Sequence, residues 1–292
     1  RRHKPRLKPY LEFSYFSGCS LHGTSREFDE SIKGVLGLLN IKIHELDDWT
    51  CCGATSAHCL DETLAAEMPA RNLAIAEKSD RDLLVPCASC YSRFKATELE
   101  VKDHGKKVSF PYQGKVPIRF ALDYLCDKPI LEEVRKKMVQ PLAGLKAVCY
   151  YGCLPVRPPK LTGIKDYENP MHMDRLLRQL GVEPIQWSYK TDCCGASLMV
   201  TRMDLFKQLI GKILTKAKET GADCVVVGCS MCQMNLDTRQ EVVEKDLGKQ
   251  LDLPILYYTE LMGLAMGHRE TGKWFKRHFK DPVPMLRAKG LM

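Results

Sequence analysis

The sequence predicts an α/β protein of two duplicated domains. Each would be a mostly parallel sheet flanked by helices, with cysteine loops at the strand ends. Three observations predict this. Apolar runs of strand length alternate with segments of helical spacing along the 292 residues, the order expected of a parallel sheet covered on both faces. That order occurs twice, at a period of about 140 residues, which suits duplicated domains and not a solenoid. Ten of the fourteen cysteines fall at matching places in the two copies.

The first copy opens on Leu11 to Phe16, a short apolar run that reads as a buried strand. A Gly18-Cys19 loop follows, and then helical spacing from Phe28 to Leu39. Ile41 to Leu46 reads as a second strand leading to Cys51-Cys52. Pro69 to Lys78 is expected to be helical, with the proline in the first turn. Leu83 to Val85 is a third strand that runs into Cys87-x-x-Cys90. Residues 104 to 117, with Gly105, Pro111, Gly114 and Pro117, read as loop. After a charged helical segment, Leu131 to Val139, the boundary falls near Pro141 to Gly144. The domains are therefore 1–142 and 143–292.

The second copy repeats this course. Leu145 to Tyr150 is a strand ending at Gly152-Cys153, and Met171 to Leu180 is a helix stopped by Gly181. Pro184 to Trp187 is a strand leading to Cys193-Cys194, Met203 to Glu219 a helix, and Cys224 to Val227 a strand entering Cys229-x-x-Cys232. Cys51-Cys52-Gly53-Ala54 matches Cys193-Cys194-Gly195-Ala196, and Val116-Pro117-Ile118 resembles Leu253-Pro254-Ile255. Each half is thus a Rossmann-like unit. Every cysteine group follows a strand, on the edge where open parallel sheets bind ligands.

Apolar residues make up 45% of the chain, enough for real cores, and no run approaches the eighteen apolar residues of a spanning helix. No signal-type run follows the basic first residues, so the expected compartment is the cytoplasm, where thiols stay reduced. The net charge of +8 belongs to the ends. Residues 1–10 carry five Lys/Arg and no acid, residues 268–290 carry seven and two acids, and the body is close to neutral. No aromatic-interleaved basic stripe accompanies them. The ends read as solvated or docking arms for a partner protein, with no nucleic acid implied.

Two five-cysteine sets carry the chemistry: Cys19, Cys51, Cys52, Cys87, Cys90, and Cys153, Cys193, Cys194, Cys229, Cys232. The pair and the CxxC are thirty-four residues apart in both; the preceding gap is thirty-one in one and thirty-nine in the other. Disulfides need an oxidising compartment that nothing signals. Zinc takes four ligands and usually pairs two CxxC motifs, so five thiols leave one over. A dithiol redox motif would leave Cys19, Cys51 and Cys52 unexplained. Iron–sulfur centres are held by thiolates, usually four, and a fifth suggests a larger or distorted cluster. Neighbouring side chains in a strand point apart, so a loop must turn both members of each pair to one centre; Gly53 and Gly195 permit that.

These tracts, with Asp192-Cys193-Cys194-Gly195-Ala196-Ser197-Leu198, Cys232-Gln233-Met234-Asn235-Leu236-Asp237 and Leu256-Tyr257-Tyr258-Thr259-Glu260-Leu261-Met262-Gly263, resemble the cysteine-rich CCG domain. Nearly the whole chain resembles the B component of heterodisulfide reductase, the one built on a duplicated CCG domain. The resemblance implies two non-cubane [4Fe–4S] clusters, one on each five-cysteine set, with a disulfide substrate between them receiving one electron from each. It implies an oxidoreductase acting on a disulfide or on carrier-bound sulfur. The implied partners are a ferredoxin-like iron–sulfur subunit and a flavin-containing subunit. The chain has no ferredoxin-type cysteine run of its own. Two alternatives stand beside this: an electron conduit in a lactate-, glycolate- or fumarate-linked oxidoreductase, and a structural zinc scaffold.

Other residues invite bland readings. Cys149 and Cys224 lie in expected strands and read as core. Cys59 lies near a ligand loop and could be redox-active. Loop histidines His22 and His58 could supply protons, though solvated loop histidines are commoner. Arg93, Lys190 and Arg202 lie near the ligand loops, where surface charge is the default. Met231 to Met234 reads as packing around a centre.

Overall fold

The structure is a computed structural model that describes residues 11–54 and 57–292, the side chain of His58 apart. The basic N-terminal ten residues lie outside the described residues.

Two four-stranded, fully parallel sheets carry the fold. The first contains β1 (Glu12–Tyr15), β2 (Lys42–Glu45), β3 (Leu83–Val85) and β4 (Ile118–Phe120), in the order β2-β1-β3-β4. The second contains β5 (Lys146–Tyr150), β6 (Glu183–Ile185), β7 (Cys224–Val227) and β8 (Ile255–Tyr257), in the order β6-β5-β7-β8. The duplication read from the cysteines is therefore a duplication of whole sheets. In each, the chain leaves the first strand to one side and later returns on the other. This makes a switch point between β1 and β3, and between β5 and β7, where crossover connections diverge and a crevice opens at the carboxyl ends.

Composition matches strand position. Every residue of β3 and β7 is buried, as expected of inner strands covered on both faces. The edge strand β2 alternates exposed with half-buried residues and carries Lys42, His44 and Glu45, charges that blunt an open edge. Pro184 is accommodated because β6 is also an edge, where a missing N–H breaks no inner ladder. The sequence pairs Val116-Pro117-Ile118 with Leu253-Pro254-Ile255 without marking a strand in either; the structure starts β4 and β8 there, at Ile118 and Ile255.

Helices cover the sheets. Arg26–Leu38 buries Phe28, Ile32, Val35 and Leu36 at helical spacing, and Met203–Glu219 does so with Phe206, Ile210, Ile213 and Leu214. One expectation is corrected. The helix of Pro69 runs from Glu62 to Glu77, so the proline is interior and not in the first turn. Asp61 starts the helix early: its carboxylate accepts from the backbone N–H of Leu64 at 2.6 Å. Pro69 is itself buried. The structure adds the helices Ala88–Lys102 and Ser230–Thr238, which begin at the CxxC motifs. Their first turns bury small polar residues such as Ser89 and Ser230, so no apolar stripe marks them.

The halves pack on one another along a seam. The ring of Phe28 stacks on that of Tyr257 with centroids 4.2 Å apart and an angle of 2°. Ser31 and Thr259 share a buried hydroxyl hydrogen bond of 2.7 Å. Arg277 pairs with Glu30 at 2.8 Å. Such a ring pair contributes about 0.5–1.5 kcal/mol beyond its buried area.

Candidate metal centres

Each switch point gathers five thiols. In the first sheet, Cys19 sits in the short helix Gly18–His22 just past β1, where a loop was expected. Cys51 and Cys52 follow β2, and Cys87 ends the approach from β3 at the cap of the helix that holds Cys90 in its first turn. Cys19 Sγ is 3.9 Å from Cys51 Sγ, and Cys52 Sγ is 3.2 Å from Cys90 Sγ. In the second sheet Cys194 Sγ is 3.6 Å from Cys232 Sγ, and Cys153 and Cys193 lie close enough to shift each other's acidity. The ten expected residues are thus brought together as two sets of five. None of the fourteen cysteines is in a disulfide.

The backbone is shaped to the thiols in the same way twice. The N–H of Gly53 donates to Cys51 Sγ at 3.4 Å, and that of Gly195 to Cys193 Sγ at 3.3 Å. Gly18 and Gly152 have φ of +74° and +70°, which favours glycine. A Cβ there would lie 3.1 Å from Cys90 Sγ and 2.8 Å from Cys232 Sγ. Both glycines therefore leave room against a sulfur.

Crowding drives the thiols apart in acidity. Hydrogen bonds from Cys19 and Cys52 pull the Cys51 pKa far down. The hydrogen bond from Cys90, against burial, holds Cys87 at about 6. In the second set the bond from Cys153 holds Cys193 at about 6, and the bond from Cys232 lowers Cys194. Their partners Cys19, Cys90, Cys153 and Cys232 are raised, chiefly by the hydrogen bonds to Cys51, Cys52, Cys193 and Cys194. In each set two thiols are therefore shifted toward the thiolate, the form that ligates metal. Among the described residues, no three or more Cys, His, Asp or Glu side chains form a nest for a single metal ion. Five thiols in each set, one more than a closed zinc tetrahedron takes, fit a polynuclear sulfur-bridged group better than structural zinc. Cys52, Cys87 and Cys90 are buried, as are Cys194, Cys229 and Cys232, whereas Cys19 and Cys193 are exposed. Each set is sealed on its CxxC side and open on the other.

Different supports hold the two sets. In the first half Glu45 accepts from Ser17 Oγ at 2.5 Å and pairs with His22 Nε2 at 2.7 Å and Lys33 at 3.2 Å. Burial pushes the Glu45 carboxyl up, but these three bonds outweigh it and hold it at about 2. His22 thus braces the turn that carries Cys19. Asn72, fully buried, clamps Thr50 beside the cysteine pair: it accepts from the Thr50 N–H at 2.8 Å and donates to the Thr50 carbonyl at 2.9 Å.

In the second half Lys190 corrects the surface reading. It is 2% exposed and pairs at 2.9 Å with Asp174, which is 0% exposed. Tyr151 OH donates to Asp174 at 2.7 Å, and the N–H groups of Tyr151 and Gly152 donate to the Lys190 carbonyl at 2.8 and 3.1 Å. The pair thereby ties the Cys153 loop to the segment that leads to Cys193. Asn235 donates to the carbonyl and sulfur of Cys194 at 3.3 and 3.4 Å. Arg202 is exposed and pairs with Asp204, and Arg93 is half-buried. Cys149 and Cys224 are fully buried in strands, as expected, and Cys59 is exposed. Met231 packs partly buried against the core.

The two sets approach each other across the seam, where Cys87 Sγ lies 3.6 Å from Ser230 Oγ, next to Cys229.

The CCG cysteine-rich domain model matches this chain twice, over residues 13–95 and 147–237. The chain belongs to the CCG family. Each CCG match spans one sheet's first three strands and its five thiols. One relative is the 8-methylmenaquinol:fumarate reductase membrane anchor subunit of Wolinella succinogenes, 31% identical over 88% of this chain and 92% of that protein. Another is the B component of the ferredoxin:CoB-CoM heterodisulfide reductase of Methanosarcina mazei, 26% identical over 88% of this chain and 89% of its own. A crystal structure of a hypothetical protein from Helicobacter pylori shares the fold with a TM-score of 0.72 at 14% identity, over 94% of this chain. This chain spans about half of that structure, 53%. Among the described residues of this CCG protein no helix is long and apolar enough to cross a membrane.

Proposed function

We propose that Cys19, Cys51, Cys52, Cys87 and Cys90 hold one non-cubane [4Fe–4S] cluster and Cys153, Cys193, Cys194, Cys229 and Cys232 a second, in domains that divide between residues 142 and 143. The chain is then the disulfide-handling subunit of a heterodisulfide-reductase-like complex in the cytoplasm. What carries the reading is the contact of Cys87 with Ser230, which brings the two thiol sets against each other across the seam. Clusters held there would supply one electron each. Splitting a disulfide takes two electrons and two protons and yields two thiols, so a neighbouring pair of one-electron centres balances the reaction with no protein nucleophile. Carrier-bound sulfur is a second substrate of the same chemistry.

The chain's own residues hold the geometry and exclude water from the CxxC side, while the exposed Cys19 and Cys193 leave the other side open. Electrons would come from a ferredoxin-like iron–sulfur subunit and, beyond it, a flavin subunit. The heterodisulfide reductase relative is named for its use of ferredoxin, which agrees. The test is anaerobic electron paramagnetic resonance during titration with candidate disulfides and lipoyl-type carriers. A substrate-dependent signal is expected, and silence with all of them contradicts the disulfide role.

A second reading is favoured by the 31% identical fumarate reductase protein. In it the chain passes electrons between a quinol and a fumarate-reducing partner, and the clusters are a conduit. Electron transfer to that partner with no response to any disulfide would establish it.

A further inference from the structure

We infer that Ser230, a residue of the second domain, tunes the first domain's centre by donating a hydrogen bond to its ligand Cys87. The inference rests on the cluster assignment proposed above and deepens it. Cys87 Sγ and Ser230 Oγ are 3.6 Å apart, and both side chains are buried, at 2% and 1% exposure. Either group could donate between a thiol and a hydroxyl. Ligation removes the thiol proton, so only Ser230 can then donate. The hydroxyl sits in the first turn of helix Ser230–Thr238, which fixes it at the seam.

Hydrogen bonds to ligand sulfur stabilise the reduced, more negative cluster and raise its reduction potential. Burial strengthens the effect, because the bond acts in a low local dielectric with no competing water. The coupling runs one way. The residue matching Ser230 in the first CxxC is Ala88, which has no side-chain donor to return to Cys229. The second centre instead receives its donor from within its own domain, the Asn235 amide 3.4 Å from Cys194 Sγ. Arg93 stands at the matching position of the first half. The two centres are therefore tuned by different means, and only the first depends on the seam. Ser230 is a positioning residue: it acts on the centre through a ligand.

The test is a potentiometric titration of the anaerobically purified, cluster-loaded protein, read by electron paramagnetic resonance. Three forms are compared: wild type, Ser230→Ala and Ser230→Thr. Ser230→Ala should lower the midpoint of one centre by about a tenfold change in its reduced-to-oxidised ratio, about 59 mV for one electron. The other centre should not move, and Ser230→Thr, which keeps the hydroxyl, should stay near wild type. Asn235→Leu should shift the other centre, which assigns the two signals. Equal shifts of both centres in Ser230→Ala would mean a loosened seam and would overturn the inference, as would no shift at all. Protein without clusters would instead reject the assignment beneath it.

Discussion

The two halves present the same five thiols on the same strand order, yet brace them by unlike means. Around Cys19 the brace is a half-exposed network centred on Glu45, with Ser17, His22 and Lys33. Around Cys153 it is a fully buried ion pair, Lys190 with Asp174, capped by Tyr151. Glu45 has Gln186 as its counterpart after the second strand, and Gln186 donates to Asp174 at 3.1 Å. What the halves hold in common is therefore the donor geometry and its glycines; the scaffolding beneath them differs. The lesson is that the thiol geometry constrains the fold more tightly than any one way of supporting it.

The largest test of that contrast removes one partner from each brace. Lys190→Met strands the Asp174 charge in the interior and should cost about 3–5 kcal/mol. Glu45→Gln acts where solvent screens the charges and should cost at most about 1 kcal/mol. Urea unfolding of the two variants checks this, and equal losses would erase the distinction between the halves.

The glycine cradles make the next comparison. A Cβ at Gly152 would come closer to Cys232 than one at Gly18 to Cys90, 2.8 against 3.1 Å. Gly152→Ala should therefore empty the second centre and reduce iron to about four per chain, counting four irons per cluster. Gly18→Ala should lose less. Iron and sulfide analysis reads both.

The clamp on the first cysteine pair ranks third. Asn72→Ala leaves the N–H and carbonyl of Thr50 without their buried partner and should cost about 1–3 kcal/mol, with faster iron loss from the first centre on exposure to a chelator. Loss from both centres at the same rate would show that the clamp is not local to the first half.

The smallest effect belongs to the seam, which neither half owns. Burial raises Glu27 to about 7, with the charge of Glu260 adding to the rise. His278 is opposed by burial but raised to about 9 by the charge and hydrogen bond of Glu260. Both groups bind protons more tightly in the folded chain, so both stabilise at low pH. The Glu27 share is complete below about 4.3, its unfolded value, and is lost as pH rises through about 7. The His278 share is complete below about 6.5 and lost as pH rises through about 9. Stability should fall between about pH 4 and about pH 9, and His278→Gln should flatten the upper part of that slope. An unchanged slope would place the titration elsewhere.

Much of this is legible in the residues, for physical reasons. The thiol sets stand out because ten cysteines recur at matching places in two copies, and the inner strands because burial on both faces demands continuous apolar runs such as Leu83–Val85. The helices after each CxxC are not legible, because their first turns bury serines instead of an apolar stripe. The span of the Pro69 helix escapes the sequence pattern because its start depends on Asp61 and not on the proline. Lys190 reads as surface charge because a lysine's burial depends on a partner, Asp174, sixteen residues away, which no local pattern announces. The bracing roles of Asn72, Asn235 and Ser230 have no signal in the sequence at all. They arise only when distant strands bring loops together.

The central claim is that two quintets of thiolate cradle iron and sulfide in neighbouring crevices. The most direct measurement is iron, zinc and acid-labile sulfide analysis of anaerobically purified protein. The account predicts about eight irons with matching sulfide per chain, from two four-iron clusters. Two zincs without sulfide, or colourless protein whose cysteines are cross-linked to one another, would contradict it.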